Sequence, residues 1–509
     1  MFQGVQQPVC IVMASRSADN DEQLPADVRF RALPKGHRQA KFTALARVRL
    51  GSDDWIECPK GWRDPFLPVS AGAWSSFPAL EDLFVYNGSG AMPGRTWVIA
   101  SDPDTLKRRW AALLGAPESE KEDLFHPHLR KDKPGDKHVY KRIEKGLPGQ
   151  PNPLISVAED EGRCIPPIRY GFRSFDRQWL IPDARLINQP NPGLWTSMSD
   201  RQIYLTALSR TSPTAGPALT ATALIPDLDH FNARGGRVFP LWLDDEATTP
   251  NLVEGVLRRL AERFGRDVKP EEFLAYIVAV IASPTYTDRF RDDLSTPGLR
   301  VPISATTAVF EKGVELGRRV VWLQTFGERM VDNAAGRPAG PPRLPNDRAP
   351  KVPADGSIST APGAMADTLD YDARSQRLLV GRGHIENVTP SMWVYEVSGM
   401  RVLQQWFSYR RANRERPLIG DKRPPSRLIE IQPDSWLSEY TTELLNVLNV
   451  IGLLVDLEPQ QEALLEEVCA GDLISDSTLR DAGAFDLPVK YPTKPFRTRE
   501  GTDGQLALG

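Results

Sequence analysis

The chain alternates between short continuous apolar runs bounded by turn residues, which predict buried strands, and apolar residues recurring every three or four positions, which predict helices. The run "PVCIVMASR", Pro8 to Arg16, is of the first kind. A buried strand needs sheet neighbours on both sides, and no earlier residues supply them, so Met1 reads as an entry into the middle of a fold. "RTWVIA" predicts a strand, and "DPDTLKRRWAALLG" a helix that begins at Asp102 and stops at Gly115. Glu118 to Gly149 is charged and punctuated by proline, a loop with at most one short helix.

From Pro166 the pattern changes. "PPIRYGFRSFDRQWLIPD", "ALTATALIPDLDHF" and "RGGRVFPLW" are rich in aromatic and β-branched residues and predict strands. "PEEFLAYIVAVIAS" and "TTAVFEKGVELGRRVVWLQTFGERM" predict helices. Seven prolines between Gly336 and Ala366, with few large apolar side chains, predict an extended linker or covering strap. Beyond it the spacing predicts three helices: one from about Val397 to Arg411, one from near Asp434 with apolar residues at Leu437, Tyr440, Leu444, Leu448, Ile451 and Val455, and one from Pro459 to Gly471. The fold class is α+β and multi-domain: a mixed β/α N-terminal half over 1–165, an α+β central domain over 166–335, a proline-rich linker over 336–366 and a basic, mainly helical C-terminal unit over 367–509.

Composition adds limits. With 40% hydrophobic and 25% charged residues over 509 positions, the chain is that of a folded protein with several cores. Cys10, Cys58, Cys164 and Cys469 lie far apart without a C-x-x-C pair, so neither a zinc site nor a disulfide framework is signalled. "AYIVAVIA" and the run "LLNVLNVIGLLVDL", interrupted by Asn446, Asn449 and Gly452, read as too short or too polar to span a bilayer. "VCIVMA" lacks the charged flank of a secretory signal. A cytoplasmic location without a membrane partner is expected.

The sequence carries none of the common catalytic signatures. Methylation of adenine in DNA needs a glycine-rich turn after the first strand and an Asn/Asp-Pro-Pro-aromatic tetrapeptide that holds the flipped base. The Pro-Pro pairs here are "IPPI", "GPPR" and "RPPS", and none fits. Neither the G-x-x-x-x-G-K-[ST] phosphate loop nor the G-x-S-x-G elbow occurs. No catalytic, cofactor-binding or metal residues are therefore assigned. "HPHLRKDKPGDKH" crowds His126, His128 and His138, which read as a solvated loop rather than a metal site. "YNGSGAMPGR" could cradle a phosphate through its amides and Arg95, but reads better as a turn between strands.

The strongest chemical signal is positive charge. Between Arg401 and Arg427 eight basic residues face two acidic ones, a local charge of +6 on a chain whose formal net charge is −3. On a helical wheel Met400, Val402, Leu403, Trp406, Phe407 and Tyr409 fill one half of the predicted 396–411 helix. The other carries Arg401, Gln404, Gln405, Ser408 and Arg411. Like charges repel one another on a helix, whereas each phosphate neutralised releases counterions and favours binding. The cluster therefore points to a polyanion. Arg410, Arg411, Arg414, Arg416, Lys422 and Arg423 are candidates for phosphate contacts, and Arg401, Gln404 and Gln405 for base edges. Arg173, Arg177 and Arg185, among aromatic strands, are weaker candidates. The competing reading pairs these arginines with carboxylates inside the fold.

"YDARSQRLLVGRGHIENVTPSMWVYEVSGMRVLQQWFSYRRANRERP" and "GDKRPPSRLIEIQPDSWLSEYTTELLNVLNVIGLLVDLEP" closely resemble the C-terminal specificity domain of type ISP restriction-modification enzymes. "RYGFRSFDRQWLIPDARLIN" and "AYIVAVIASPTYTDRF" resemble the earlier part of the same region, and residues before Pro166 the tail of the family's adenine-N6 methyltransferase domain and its junction. Enzymes of this family join a nuclease, an ATP-driven translocase, a methyltransferase and a target recognition domain in one polypeptide. The resemblance implies the part that reads double-stranded DNA and directs a methyltransferase/translocase polypeptide encoded upstream, with S-adenosylmethionine bound by that partner and not by this chain. A separate subunit of a split system and the product of a truncated gene both agree with it. Two alternatives are an adenine-specific DNA methyltransferase active only with the missing upstream part, and a protein-interaction subunit of a phage-defence complex.

Overall fold

The computed structural model describes residues 11–15, 24–33, 38–58, 73–130, 133–134, 137–209, 211–231, 236–295, 297–411 and 423–486. It divides into two compact units, residues 1–75 and 76–509. The first contains a helix, Arg38–Ala46, and an antiparallel pair of two-residue strands, Arg29–Phe30 with Ile56–Glu57. The buried strand expected from Pro8 to Arg16 is not borne out where it is described. Ile11, Val12 and Met13 are 61%, 69% and 81% exposed and belong to no strand. An apolar run becomes a buried strand only when a neighbour offers it a hydrogen-bonding edge.

In the second unit, strand β1 (Ile99–Ala100) leads into helix α1 (Pro103–Leu114) at the predicted cap. The Asp102 carboxylate accepts from the Thr105 backbone N–H at 2.7 Å, and Gly115 ends the helix. The one short helix of the charged stretch is α2 (Glu118–Phe125). Strands β2 (Ile168–Arg173) and β3 (Asp176–Leu180) form an antiparallel hairpin whose turn holds Phe175 at φ +65°. β3 lies between β1 and β2 in a three-stranded sheet. A second sheet places β4 (Tyr204–Ala207) between β5 (Leu219–Thr222) and β6 (Arg237–Pro240). Trp97, Leu106, Trp110, Tyr170, Leu180, Trp195 and Val238 share one core, which takes side chains from both sides of position 165.

Helix α3 (Pro270–Ile281) has no exposed residue from Phe273 to Ile281, which explains its continuous apolar run. Helix α4 (Thr307–Gln324) lies against it at Gly313 and Gly317, one turn apart. A Cβ on Gly317 would stand 1.7 Å from the Ala275 carbonyl oxygen, and one on Gly313 2.6 Å from the Tyr276 ring. The two glycines let the backbones approach closer than any side chain would allow.

Next come a meander, β7 (Leu369–Asp372), β8 (Arg377–Val380) and β9 (Gly383–Ile385), and a short helix, α5 (Pro390–Val394). The helix expected from Val397 to Arg411 is then corrected. Strands β10 (Glu396–Val397) and β11 (Met400–Arg401) pair around Ser398 and Gly399, both at positive φ, and only α6 (Val402–Ser408) is helical. Two successive positive φ values make the tight turn that suits the twist of a hairpin. The turn is gripped from outside: Ser398 N–H donates to Ala215 O at 2.7 Å, and the Ser398 hydroxyl accepts from Thr214 N–H at 3.1 Å.

The two helices expected on either side of Pro459 are one, α7 (Ser438–Ala470). It packs on α3, α4 and α5, and that packing outweighs the backbone hydrogen bond a proline removes. Gln461, past the proline, donates to the carbonyls of Ala279 and Ala282 at 3.0 and 3.2 Å and so satisfies the end of α3. Of the polar interruptions, Asn446 leaves its buried Oδ1 without a hydrogen-bond partner among the described residues, whereas Asn449 and Gly452 meet other parts of the fold. Asn449 accepts from Leu344 N–H at 2.8 Å, and Gly452 leaves room for the Leu344 and Met392 side chains. Leu344 thereby anchors the proline-rich stretch on α7. At 33 residues α7 is long and apolar enough to cross a membrane by length and composition, contrary to expectation, but 67% of its most apolar window is buried in the fold, as in a core helix.

Two outcomes follow for stability. Gly317→Ala would raise helix propensity by up to about 1 kcal/mol, yet here it should destabilise by about 1–3 kcal/mol through overpacking against Ala275, read as a lower urea midpoint. Burial pushes the Glu458 carboxyl up to about 7. The folded chain then holds a proton that the unfolded chain has lost, so this contribution is present at pH 4 and disappears as pH rises to 7. Glu458→Gln should raise the unfolding temperature at pH 8 and leave it unchanged at pH 4.

Candidate nucleic-acid interface

The positive cluster starts on β11, where Arg401 is exposed and its Nε lies 3.6 Å from Glu396 Oε2 across the hairpin. α6 then buries Val402, Leu403, Trp406 and Phe407 on the half the wheel selects, against Trp436. Gln404 and Gln405 are half-buried at the rim of the opposite face, and Ser408 and Arg411 are exposed. Gln404 Oε1 and Gln405 Nε2 have no hydrogen-bond partner among the described residues and are themselves shielded from solvent. Arg414, Arg416 and Lys422 lie outside the described residues.

Arg410 requires a correction, because its side chain is 1% exposed. Its Nη2 donates to Asp176 Oδ1 at 2.7 Å, its Nη1 to the Trp406 carbonyl at 2.8 Å, and its guanidinium stacks 3.7 Å from the Trp406 ring. The physical reason is the buried Asp176 carboxylate, which without a cation would be an uncompensated charge in the interior.

The hairpin arginines are also drawn inward. Arg173 Nη1 meets Asp227 at 2.9 Å and lies 4.0 Å from the Phe172 ring. Burial works against its charge, but Asp227, Tyr409 and Asp229 outweigh it and hold the guanidinium above its ordinary pKa. Arg177 reaches Glu443 at 3.0 Å and Glu328 at 3.2 Å over the Phe326 ring. Arg169 takes the same Glu443 at 2.8 Å. Burial would raise the Glu443 carboxyl, yet Arg177 and Arg169 keep it below the usual range. Arg185 is forked on Asp183 and pairs with Asp160 at 2.7 Å. For Arg173, Arg177, Arg185 and Arg410 the competing reading, ion pairs inside the fold, is what the structure shows.

At its far end the cluster meets the histidine-rich loop, a meeting that sequence reasoning missed. Arg423 donates to Pro127 O at 2.7 Å, Ser426 to Leu124 O at 2.5 Å, and Arg427 pairs with Glu120 at 2.6 Å. His126, in the left-handed region at φ +56°, places Nε2 3.1 Å from Pro424 O. No short-range signal links positions some 300 apart in the chain. Among the described residues no group of three or more His, Cys, Asp or Glu is arranged to hold a metal ion. Arg95, considered for a phosphate cradle, is also buried. It donates to Leu186 O at 2.6 Å and Lys137 O at 2.9 Å beneath Phe125, and burial lowers its pKa to about 9.

Comparison with known proteins bears on the fold and the family. The chain superposes on a DrdV–DNA complex solved by cryo-electron microscopy with a TM-score of 0.50 and 14% identity, over 89% of this chain and 42% of that one. It superposes on the ATP-dependent Type ISP restriction-modification enzyme LlaBIII bound to DNA with a TM-score of 0.50 and 12% identity, over 83% of this chain and 26% of that one. At these identities the likeness establishes the fold, and this chain spans less than half the length of either. No curated protein matches significantly. The family described as the Type ISP C-terminal specificity domain matches residues 82–447, well over half of the sequence, and the chain belongs to that family.

Proposed function

We propose that this chain recognises a target sequence in double-stranded DNA within a type ISP system, and that it does so for a methyltransferase and translocase carried on another polypeptide. Membership of the specificity-domain family over residues 82–447 carries the reading. DNA in both neighbouring structures supports it. S-adenosylmethionine and the reacting adenine would be held by the partner, and this chain would set where on the duplex that partner acts.

The α6 surface divides the labour. Gln404 and Gln405 are half-buried at the rim of α6; turned outward on binding, each amide would pair in bidentate geometry with the N6 and N7 edge of adenine. Arg401 is an exposed cation beside them, and Arg411, with Arg414, Arg416, Lys422 and Arg423, would hold phosphates on either side. Phosphate contacts give affinity and register; base contacts give the sequence preference.

The test begins with a randomised duplex library carried through rounds of selection on the full chain, which supplies a preferred site. On that site Gln404→Ala and Gln405→Ala should each lose about 1–3 kcal/mol of discrimination with the salt dependence unchanged. Arg411→Ala should weaken all duplexes alike and reduce the slope of log K against log salt by about 1. Selection that enriches nothing, or unchanged affinity of a combined Arg401, Gln404, Gln405 and Arg411 alanine variant at low ionic strength, would sink the proposal.

A further inference from the structure

We infer that Asp176 and Arg410 are positioning residues for DNA reading: their buried ion pair sets the orientation in which α6 presents Gln404 and Gln405. The inference rests on the DNA-reading role proposed for α6 and adds to it a part of the chain, the β2–β3 hairpin, that would never touch the duplex.

α6 is seven residues long, about two turns, and a helix of that length has no stable orientation of its own. Its buried half rests on aromatic rings, with Trp406 and Phe407 centroids 6.3 and 6.0 Å from Trp436. Such contacts are apolar and allow a short helix to slide or roll. The directional restraint comes from the residue two positions past its end. Arg410 turns back to donate to the Trp406 carbonyl, in the last turn of α6, while its other terminal nitrogen donates to Asp176 at the start of β3. Asp176 is itself oriented, because Gln178 Nε2 donates to its second oxygen at 2.9 Å. The hairpin that carries it is tied in turn to α7 through Arg169 and Arg177 on Glu443. Tyr409 meets Phe172 of β2 edge-on at 4.8 Å and closes the contact. A chain of hydrogen-bonded charges thus runs from α7 through β3 to the C-terminal end of α6.

Stability alone does not account for the pair. A buried ion pair often contributes no more than apolar residues of the same volume, because desolvating both charges offsets their attraction. What it adds is a fixed angle and distance between two elements. A small roll of α6 about its axis would move Gln404 and Gln405 off a base edge while its apolar half still rests on Trp436.

Two variants of the full chain test this on the selected duplex and on a random-sequence duplex of equal length. Asp176→Leu with Arg410→Met removes one charge of each sign, so the net charge and long-range attraction are unchanged. It should bind the selected duplex at least tenfold more weakly, the random duplex within about twofold of the unaltered chain, and with the same salt slope. Asp176→Asn makes the chain more positive, which by charge alone would tighten DNA binding; it should instead weaken binding to the selected duplex. Retained site preference in the folded double variant, or tighter binding by Asp176→Asn, overturns the inference. So does failure of both variants to fold, which would make the pair a stability element. If Gln404→Ala and Gln405→Ala leave selected-site binding untouched while the pair variants weaken it, the reading role of α6 fails instead, and this inference with it.

Discussion

Burying a guanidinium or a carboxylate is costly unless the opposite charge arrives with it in good geometry, and that constraint organises the region around the β2–β3 hairpin. Asp176, Asp227 and Glu443 each sit in the interior opposite an arginine: Arg410, Arg173, and Arg177 with Arg169. The partners come from β2, β3, the sequence just past α6, the loop after β5 and the start of α7. None of these elements can shift alone without exposing an uncompensated charge to a low-dielectric interior. The hairpin therefore joins parts of the chain more than 200 residues apart in a way that apolar contact, which is not directional, would not specify.

The same constraint sorts the basic residues by task. Arginines that find carboxylates inside the fold, Arg173, Arg177, Arg185 and Arg410, are removed from the surface. Arg401, beside its hairpin partner Glu396, and Arg411 remain exposed at either end of α6. For a chain that grips a polyanion, such sorting is useful. Affinity scales with the phosphates neutralised, whereas the accuracy of reading depends on how rigidly the few base-facing side chains are held. On the proposed reading, the interior arginines would serve the second need and the exterior ones the first.

The helical layer supplies the rigid background. α3 is enclosed from Phe273 to Ile281, α4 reaches it through Gly313 and Gly317, and α7 caps α3 through Gln461. The proline-rich stretch contributes Leu344 to the same layer. Close packing of this kind is nearly incompressible, so the hairpin and α6 have a stiff platform against which to be oriented.

Several of these features were legible from the sequence because their causes are local. Asp102 and Gly115 bracket α1, since a cap needs only the first and last turns; the enclosed α3 announces itself as an unbroken apolar run; the inward half of α6 follows from its wheel. The family's long motifs, in order, also carried the reading of specificity domain. Other features had a local signal that went unread, such as Ser398-Gly399 as a hairpin turn and the glycine pair four residues apart on α4. What only the tertiary structure decided is which charges face in and which face out. Arg410 and Arg411 are adjacent and chemically identical, and nothing near them in the sequence says that one will meet Asp176, 234 positions earlier, while the other stays at the surface. Charge can be counted along a chain, but its partners are chosen by proximity in space, and that proximity exists only after the core has formed.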